Sequence, residues 1–142
     1  MSGHLSLADS TLVSLDIAPQ IASANVNGTE VDMQGWEGCM FVFNLGVMAS
    51  TATFDARVVS SANANMAGNT NVTNAALTQV TTSKPNNCFI IDVWRPSDRY
   101  LRTATQPATA NSYLSGVAIR YRHTGILPPT QAASEIVSVA VN

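Results

Sequence analysis

Residues Cys88–Thr105 read CFIIDVWRPSDRYLRTAT. Two short runs rich in Ile, Val, Thr and aromatic residues flank the break Arg95-Pro96-Ser97-Asp98-Arg99. Both runs are too short and too β-branched for amphipathic helices and read as strands. Proline cannot donate to a ladder, so Pro96-Ser97-Asp98 reads as a three-residue turn between them. Antiparallel pairing across that turn puts Arg95 opposite Arg99, Trp94 opposite Tyr100, Val93 opposite Leu101 and Asp92 opposite Arg102. Alternation then gives one face to Asp92, Trp94, Tyr100 and Arg102, and the other to Val93 and Leu101.

This register leaves Arg95 and Arg99 side by side, two like charges that need carboxylate or carbonyl acceptors. Asp98 meets part of that need, and Asp92 is committed to Arg102. A partner supplying the missing acceptors would find an apolar contact in Trp94 and Tyr100. The stretch therefore predicts a partner-binding edge of Trp94, Arg95, Arg99, Tyr100 and Arg102. Cross-strand pairing within the monomer is the alternative use of the same residues.

The rest of the chain reads the same way. Thr11–Ile17 alternates until Pro19 interrupts it, and Asn27-Gly28 between alternating segments signals a hairpin. Gly38–Gly46 is apolar on both faces, as a central, fully covered strand would be. Ala52–Ser61 sets Phe54, Ala56 and Val58 against Asp55 and Arg57. From Ser60 to Thr82 the text is small, polar and Asn-rich, which predicts a surface loop with a helical turn near Asn74–Leu77. Further strands are expected at Phe89–Trp94, Arg99–Thr105, Tyr113–Arg122 and Ile136–Val141. The expectation is one all-β domain over residues 1–142, an antiparallel β-sandwich or jelly roll of about eight strands, with a loose N-terminal arm at residues 1–10.

Composition narrows the function classes. The 142 residues are 46% hydrophobic and only 11% charged, with a formal net charge of −2. That charge gives no field to steer the chain onto nucleic acid or an anionic membrane. Arg95, Arg99, Arg102, Arg120 and Arg122 fall in the final third beside a single lysine, Lys84. Arginine without lysine suits planar pairing and aromatic stacking at protein interfaces better than a nucleic-acid surface. The opening MSGHLSLADSTLVSL lacks a basic n-region, and no apolar run has the length of a membrane span, so cytoplasmic synthesis is expected. Cys39 and Cys88 are expected to be buried, reduced thiols that resist alkylation, with a single cross-strand disulfide as the alternative.

Chemistry is sparse. His4 and His123 are the two histidines, no metal-ligand spacing occurs, and no serine sits in a nucleophile-elbow pattern. Neither an enzyme nor a cofactor is expected. Asn27-Gly28-Thr29 and Asn71-Val72-Thr73 match glycosylation acceptors by chance in a chain with no secretory signal.

Three segments carry a resemblance. CFIIDVWRPSDRYLR is similar to a pattern of small phage virion proteins, in which an apolar strand ends in Asp-aromatic-Arg-Pro and resumes as Arg-Tyr-apolar-Arg. GWEGCMFVFNLG and ATFDARVVSSAN resemble the strands upstream of it, so the likeness spans roughly Gly35 to Arg122. The family it resembles is the head decoration, or cement, proteins of tailed bacteriophages. The Asn-rich Ser60–Thr82 stretch departs from that family's pattern, which is shorter and more acidic there. The resemblance implies a sandwich domain on the outside of a capsid, made in the host cytoplasm. Its partners would be the major capsid protein and its own kind, as a homodimer or homotrimer. Each copy would then offer one surface to the lattice and one to itself. A tail, fibre or baseplate module binding host glycan or another virion protein is the runner-up, and a small hydrolase on the same scaffold the third reading.

Overall fold

The computed structural model describes residues 6–125, 129–131 and 135. A single helical turn, α1 (Leu7–Ser10), precedes ten strands. These are β1 (Thr11–Ala22), β2 (Val26–Asn27), β3 (Val31–Asp32), β4 (Trp36–Met48), β5 (Thr53–Ser61), β6 (Thr70–Ala76), β7 (Val80–Thr81), β8 (Asn87–Trp94), β9 (Tyr100–Ala108) and β10 (Ser112–His123). They form two antiparallel sheets, one in the order β1-β10-β4-β8 and the other β2-β9-β5-β6, with β3 also on β9 and β7 also on β5. Taking β2/β3 and β6/β7 as two interrupted strands, eight strands alternate between the sheets with one in-sheet step, β5 to β6. That is the jelly-roll order, so the expected all-β sandwich holds.

The core lies between the sheets because strand alternation sends every second side chain inward. Cys39, Phe41, Phe43 and Leu45 of β4 face Phe54, Ala56 and Val58 of β5 and Leu101 of β9, all buried. The Phe43 and Phe54 rings meet edge-on at 6.1 Å across the layers. A carboxylate joins this core: Asp16 accepts a 2.7 Å hydrogen bond from Thr103 Oγ1, linking β1 of one sheet to β9 of the other. Burial raises the Asp16 carboxyl to about 6, against the hydrogen bonds from Thr103 and Thr29.

Several local expectations give way to the roll. The Cys88–Thr105 hairpin does not exist: β8 pairs with β4, and β9 pairs with β5, β2 and β3, so Pro96-Ser97-Asp98 crosses between sheets. Asn27-Gly28 is no hairpin turn either, since the strands on both sides of it pair with β9. Gly28 is required there for space: a Cβ would stand 2.0 Å from Asp16 Oδ1 and 2.1 Å from Thr103 Oγ1. The Ser60–Thr82 stretch contains β6 and β7 rather than a loop with a helical turn, and Asn74 sits at φ 61° in a bulged pairing. Bulges also carry β1 through Pro19, on an edge strand where the missing N–H is tolerated. Of the expected arm, Leu7–Ser10 is helical and capped by Ser6, which accepts from Asp9 N. β4 is central, but its outer side chains Met40 and Val42 are only half-buried. Cys39 is buried, whereas Cys88 is exposed, contrary to expectation. The strand expected at Ile136–Val141 lies outside the described residues.

Candidate binding site

The sheet crossing redistributes the five expected site residues. Trp94 ends β8 and points out from the four-stranded sheet, 46% exposed. Tyr100 and Arg102 flank the buried Leu101 on β9, so they point out from the other sheet. The proposed shared face of Asp92, Trp94, Tyr100 and Arg102 is thus split between opposite sides of the sandwich. Arg95 and Arg99 stay together, at the two ends of the crossing loop.

Neither arginine waits for an acceptor from outside. Arg99 donates from Nε and Nη2 to the two carboxylate oxygens of Asp32, both at 2.9 Å, a planar two-point pair. That guanidinium holds Asp32 below its ordinary pKa. Arg95 Nη2 lies 3.3 Å from Glu37 Oε1. Asp98, expected to serve the arginines, instead accepts from Ser60 Oγ at 2.7 Å. Asp92 accepts from Tyr121 Oη at 2.6 Å and not from Arg102.

Around Trp94 the fold assembles a cluster that strand spacing did not reveal. On the outer face, Trp94 of β8, Gly38 of β4 and Tyr121 of β10 are register neighbours in one row. Gly38 leaves the space into which the Tyr121 ring lies; a Cβ there would be 2.2 Å from Tyr121 Cζ. The tyrosine ring thereby crosses β4 and stacks on Trp94, centroids 6.0 Å apart and planes 12° from parallel. This is aromatic cover of a strand glycine. Burial first, and the Asp92 carboxylate second, push the Tyr121 phenol above its ordinary pKa.

Arg122 completes the group. Its Nε donates to Glu37 Oε2 at 3.0 Å, so Glu37 holds Arg95 on one oxygen and Arg122 on the other. Both guanidinium carbons stand near the Trp94 ring, at 5.2 and 5.4 Å from its centroid. Both arginines are also in the left-handed backbone region, with φ of 49° and 55°. For side chains this large that conformation costs on the order of 1 kcal/mol or more each, and such strain concentrates at functional positions. Their side chains remain 67% exposed. Glu37, Gly38, Tyr121 and Arg122 are therefore the members sequence reasoning missed. The GWEG text that holds two of them offered only a pair of glycines as a signal.

Beside this cluster a cleft of about 460 Å³ opens between the sheets, lined by Met33, Trp36, Glu37, Arg95, Pro96 and Arg99 among others. Trp36 is braced by the His123 ring at 4.4 Å. Among the described residues, no group of three or more His, Cys, Asp or Glu side chains converges as a metal site would require. The arrangement has the makings of a contact surface: a rigid aromatic anchor, two fixed arginines with spare donors, and an apolar recess.

No family model matches the chain, and no curated protein matches it. Among solved structures, one similar chain is described as "Bacillus endospore appendages form a novel family of disulfide-linked pili". It is 14% identical, over 80% of this chain and 88% of that one, with a TM-score of 0.45. A second, described as "CBM4 structure and function", is 9% identical over 87% and 88%, with a TM-score of 0.39. Likenesses this distant carry no function across, and the architecture rests on the strand order and register above.

Proposed function

We propose that this chain is a structural virion protein that binds the outer surface of a phage capsid and stabilises it, gripping the shell with the sandwich end built around Trp94. The observation that carries the reading is the pair of left-handed arginines, Arg95 and Arg122, locked on Glu37 about an exposed tryptophan. Interface hot spots are enriched in Trp, Tyr and Arg, and preorganised side chains lose little entropy on docking. The resemblance of Gly35–Arg122 to decoration proteins supplies the capsid as the partner. Such a role asks for contact surfaces rather than a reaction.

The test is co-sedimentation with empty heads of the parent particle. Replacing Arg95 and Arg122 together by Ala should weaken attachment by on the order of 2 to 5 kcal/mol, the range for truncating paired charges at an interface. Thermal unfolding should move much less, because exposed ion pairs contribute little to fold stability. If attachment survives while the melting temperature collapses, the arginines are internal struts and the reading is wrong.

One observation favours the second reading, a tail, fibre or baseplate module that binds host glycan. The Trp94–Tyr121 pair with Asp92 at its edge sets aromatic surface beside a carboxylate. Immunogold labelling on tails instead of heads, with glycan binding lost in Trp94→Ala, would replace the capsid reading with this one.

A further inference from the structure

Among the described residues seven large apolar side chains are exposed, and six of them, Leu15, Ile21, Val47, Ile90, Trp94 and Tyr113, lie on strands of the four-stranded sheet. The other sheet turns half-buried Asp55, Arg57, Arg102 and Gln106 outward. At the middle of the apolar sheet one row crosses all four strands: Leu15 opposite Val117, Val117 opposite Val42, Val42 opposite Ile90. Its end members, Leu15 and Ile90, are 55% and 53% exposed. Scattered exposed hydrophobics are ordinary, but a continuous apolar row on one side of a sandwich marks an interaction surface.

The pattern about this row is nearly symmetric. Four residues to one side of Val117 and Val42 stand Tyr121 and Gly38; four residues to the other side stand Tyr113 and Gly46. A Cβ on Gly46 would lie 3.1 Å from Tyr113 Cβ, as one on Gly38 would strike Tyr121. Each half of the face thus presents a tyrosine beside a strand glycine. The halves differ two residues from the row, where Met40 and Ile119 stand on one side and Asn44 and Ser115 on the other, and in charge, since Asp92, Arg95 and Arg122 all lie toward the Trp94 end.

We propose that this face binds a second copy of the chain, sheet on sheet, about a two-fold axis running along the Leu15–Val117–Val42–Ile90 row. An axis in that direction lays the row on itself, sets Tyr121 of one copy against Tyr113 of the other, and places the two arginine clusters at opposite ends. An axis along the strands would instead bring like charges together. A two-fold needs one self-complementary patch, which this face supplies. Four strands about 4.8 Å apart and the nine residues Tyr113–Tyr121 at about 3.4 Å each enclose roughly 500 Å². A pair therefore buries on the order of 1,000 Å² in plan, the lower bound for a specific interface. The inference does not rest on the capsid reading, but the two surfaces share Trp94 and Tyr121.

Sedimentation equilibrium of the full chain at about 1 to 100 µM tests it, with Ile90→Lys and Val42→Glu as variants. The expected result is a mass of two chains, with association weakened about 100-fold or more in each variant, since a charge would be buried without a partner. Ile90 is exposed, so Ile90→Lys should keep the wild-type near-ultraviolet circular dichroism and fold. A spin label on exposed Cys88, two residues from Ile90, should report the geometry. The row-axis dimer puts the two Cys88 Cα atoms roughly 17 Å apart, from strand rise and a sheet spacing of about 10 Å. A single-chain or three-chain mass, a dimer unmoved by both variants, or a label separation beyond about 30 Å overturns the proposal. So does a chain truncated after Gln131 that dimerises when the full chain does not, because the segment beyond Gln131 would then be what covers the face.

Discussion

Asp16 should make this fold less stable at neutral pH than in mild acid, and Asp16→Asn should abolish that dependence. Burial between the sheets raises its carboxyl to about 6 in the folded chain, from an ordinary 3.8. A raised pKa means the folded state holds the proton more tightly than the unfolded state. The stabilisation is therefore complete below about pH 4 and is lost as pH rises through about 6. One unit corresponds to about 1.4 kcal/mol, so the full span is about 3 kcal/mol, of which about 2 falls between pH 4.5 and pH 8. Asparagine keeps an acceptor for the Thr103 hydroxyl and has no charge to desolvate. Its amide nitrogen would occupy the place of Oδ1, which has no hydrogen-bond partner, and an unmet donor there costs about 1 to 3 kcal/mol. The absolute stability of the variant thus shifts little at high pH. The readout is the difference between wild type and variant in urea unfolding free energy, measured at both pH values. It should change by about 2 kcal/mol in the variant's favour on going from pH 4.5 to pH 8. A difference that stays constant within about 0.5 kcal/mol would show that Asp16 does not titrate between these pH values in the fold, and the burial argument would be wrong.

Gly38→Ala should displace the Tyr121 ring, break its bond to Asp92 and unstack Trp94, costing about 1 to 3 kcal/mol by crowding. Near-ultraviolet circular dichroism and tryptophan fluorescence should both change, and an unchanged spectrum would contradict the stacked geometry. Alkylation of the folded monomer, as held by Ile90→Lys, should add one label, at exposed Cys88, which the proposed dimer would cover. Cys39, buried and with its thiol pushed up to about 12, should react only after denaturation, as intact mass would record. Two rapid labels would mean that β4 is open to solvent.

Outside Ser60–Thr82, where β6 and β7 run through text that carried no strand signal, the local text of this chain determined where strands run and which side chains point inward. Alternation through Phe54, Ala56 and Val58, or through Val93 and Leu101, is a period-two signal carried by neighbouring residues, and burial follows it. Glycine, proline and asparagine marked breaks correctly and misnamed what they connect. Pro96-Ser97-Asp98 has the composition of a tight turn, yet its flanking strands bury their inner faces against each other across the sandwich rather than pairing edge to edge. Asn27-Gly28 has a hairpin's signature, but the space it fills belongs to Asp16, far back in β1, and Thr103, far ahead in β9. The five site residues were chosen on an assumed hairpin register, and two of them left the site when the register proved false. Glu37, Tyr121 and Arg122 entered because β4, β8 and β10 lie side by side, with Tyr121 and Arg122 separated from Trp94 by more than twenty residues of chain. Strand faces are decided by residues one and two positions apart; strand partners are decided by which pairing buries all the inner faces at once, and that is a property of the whole chain.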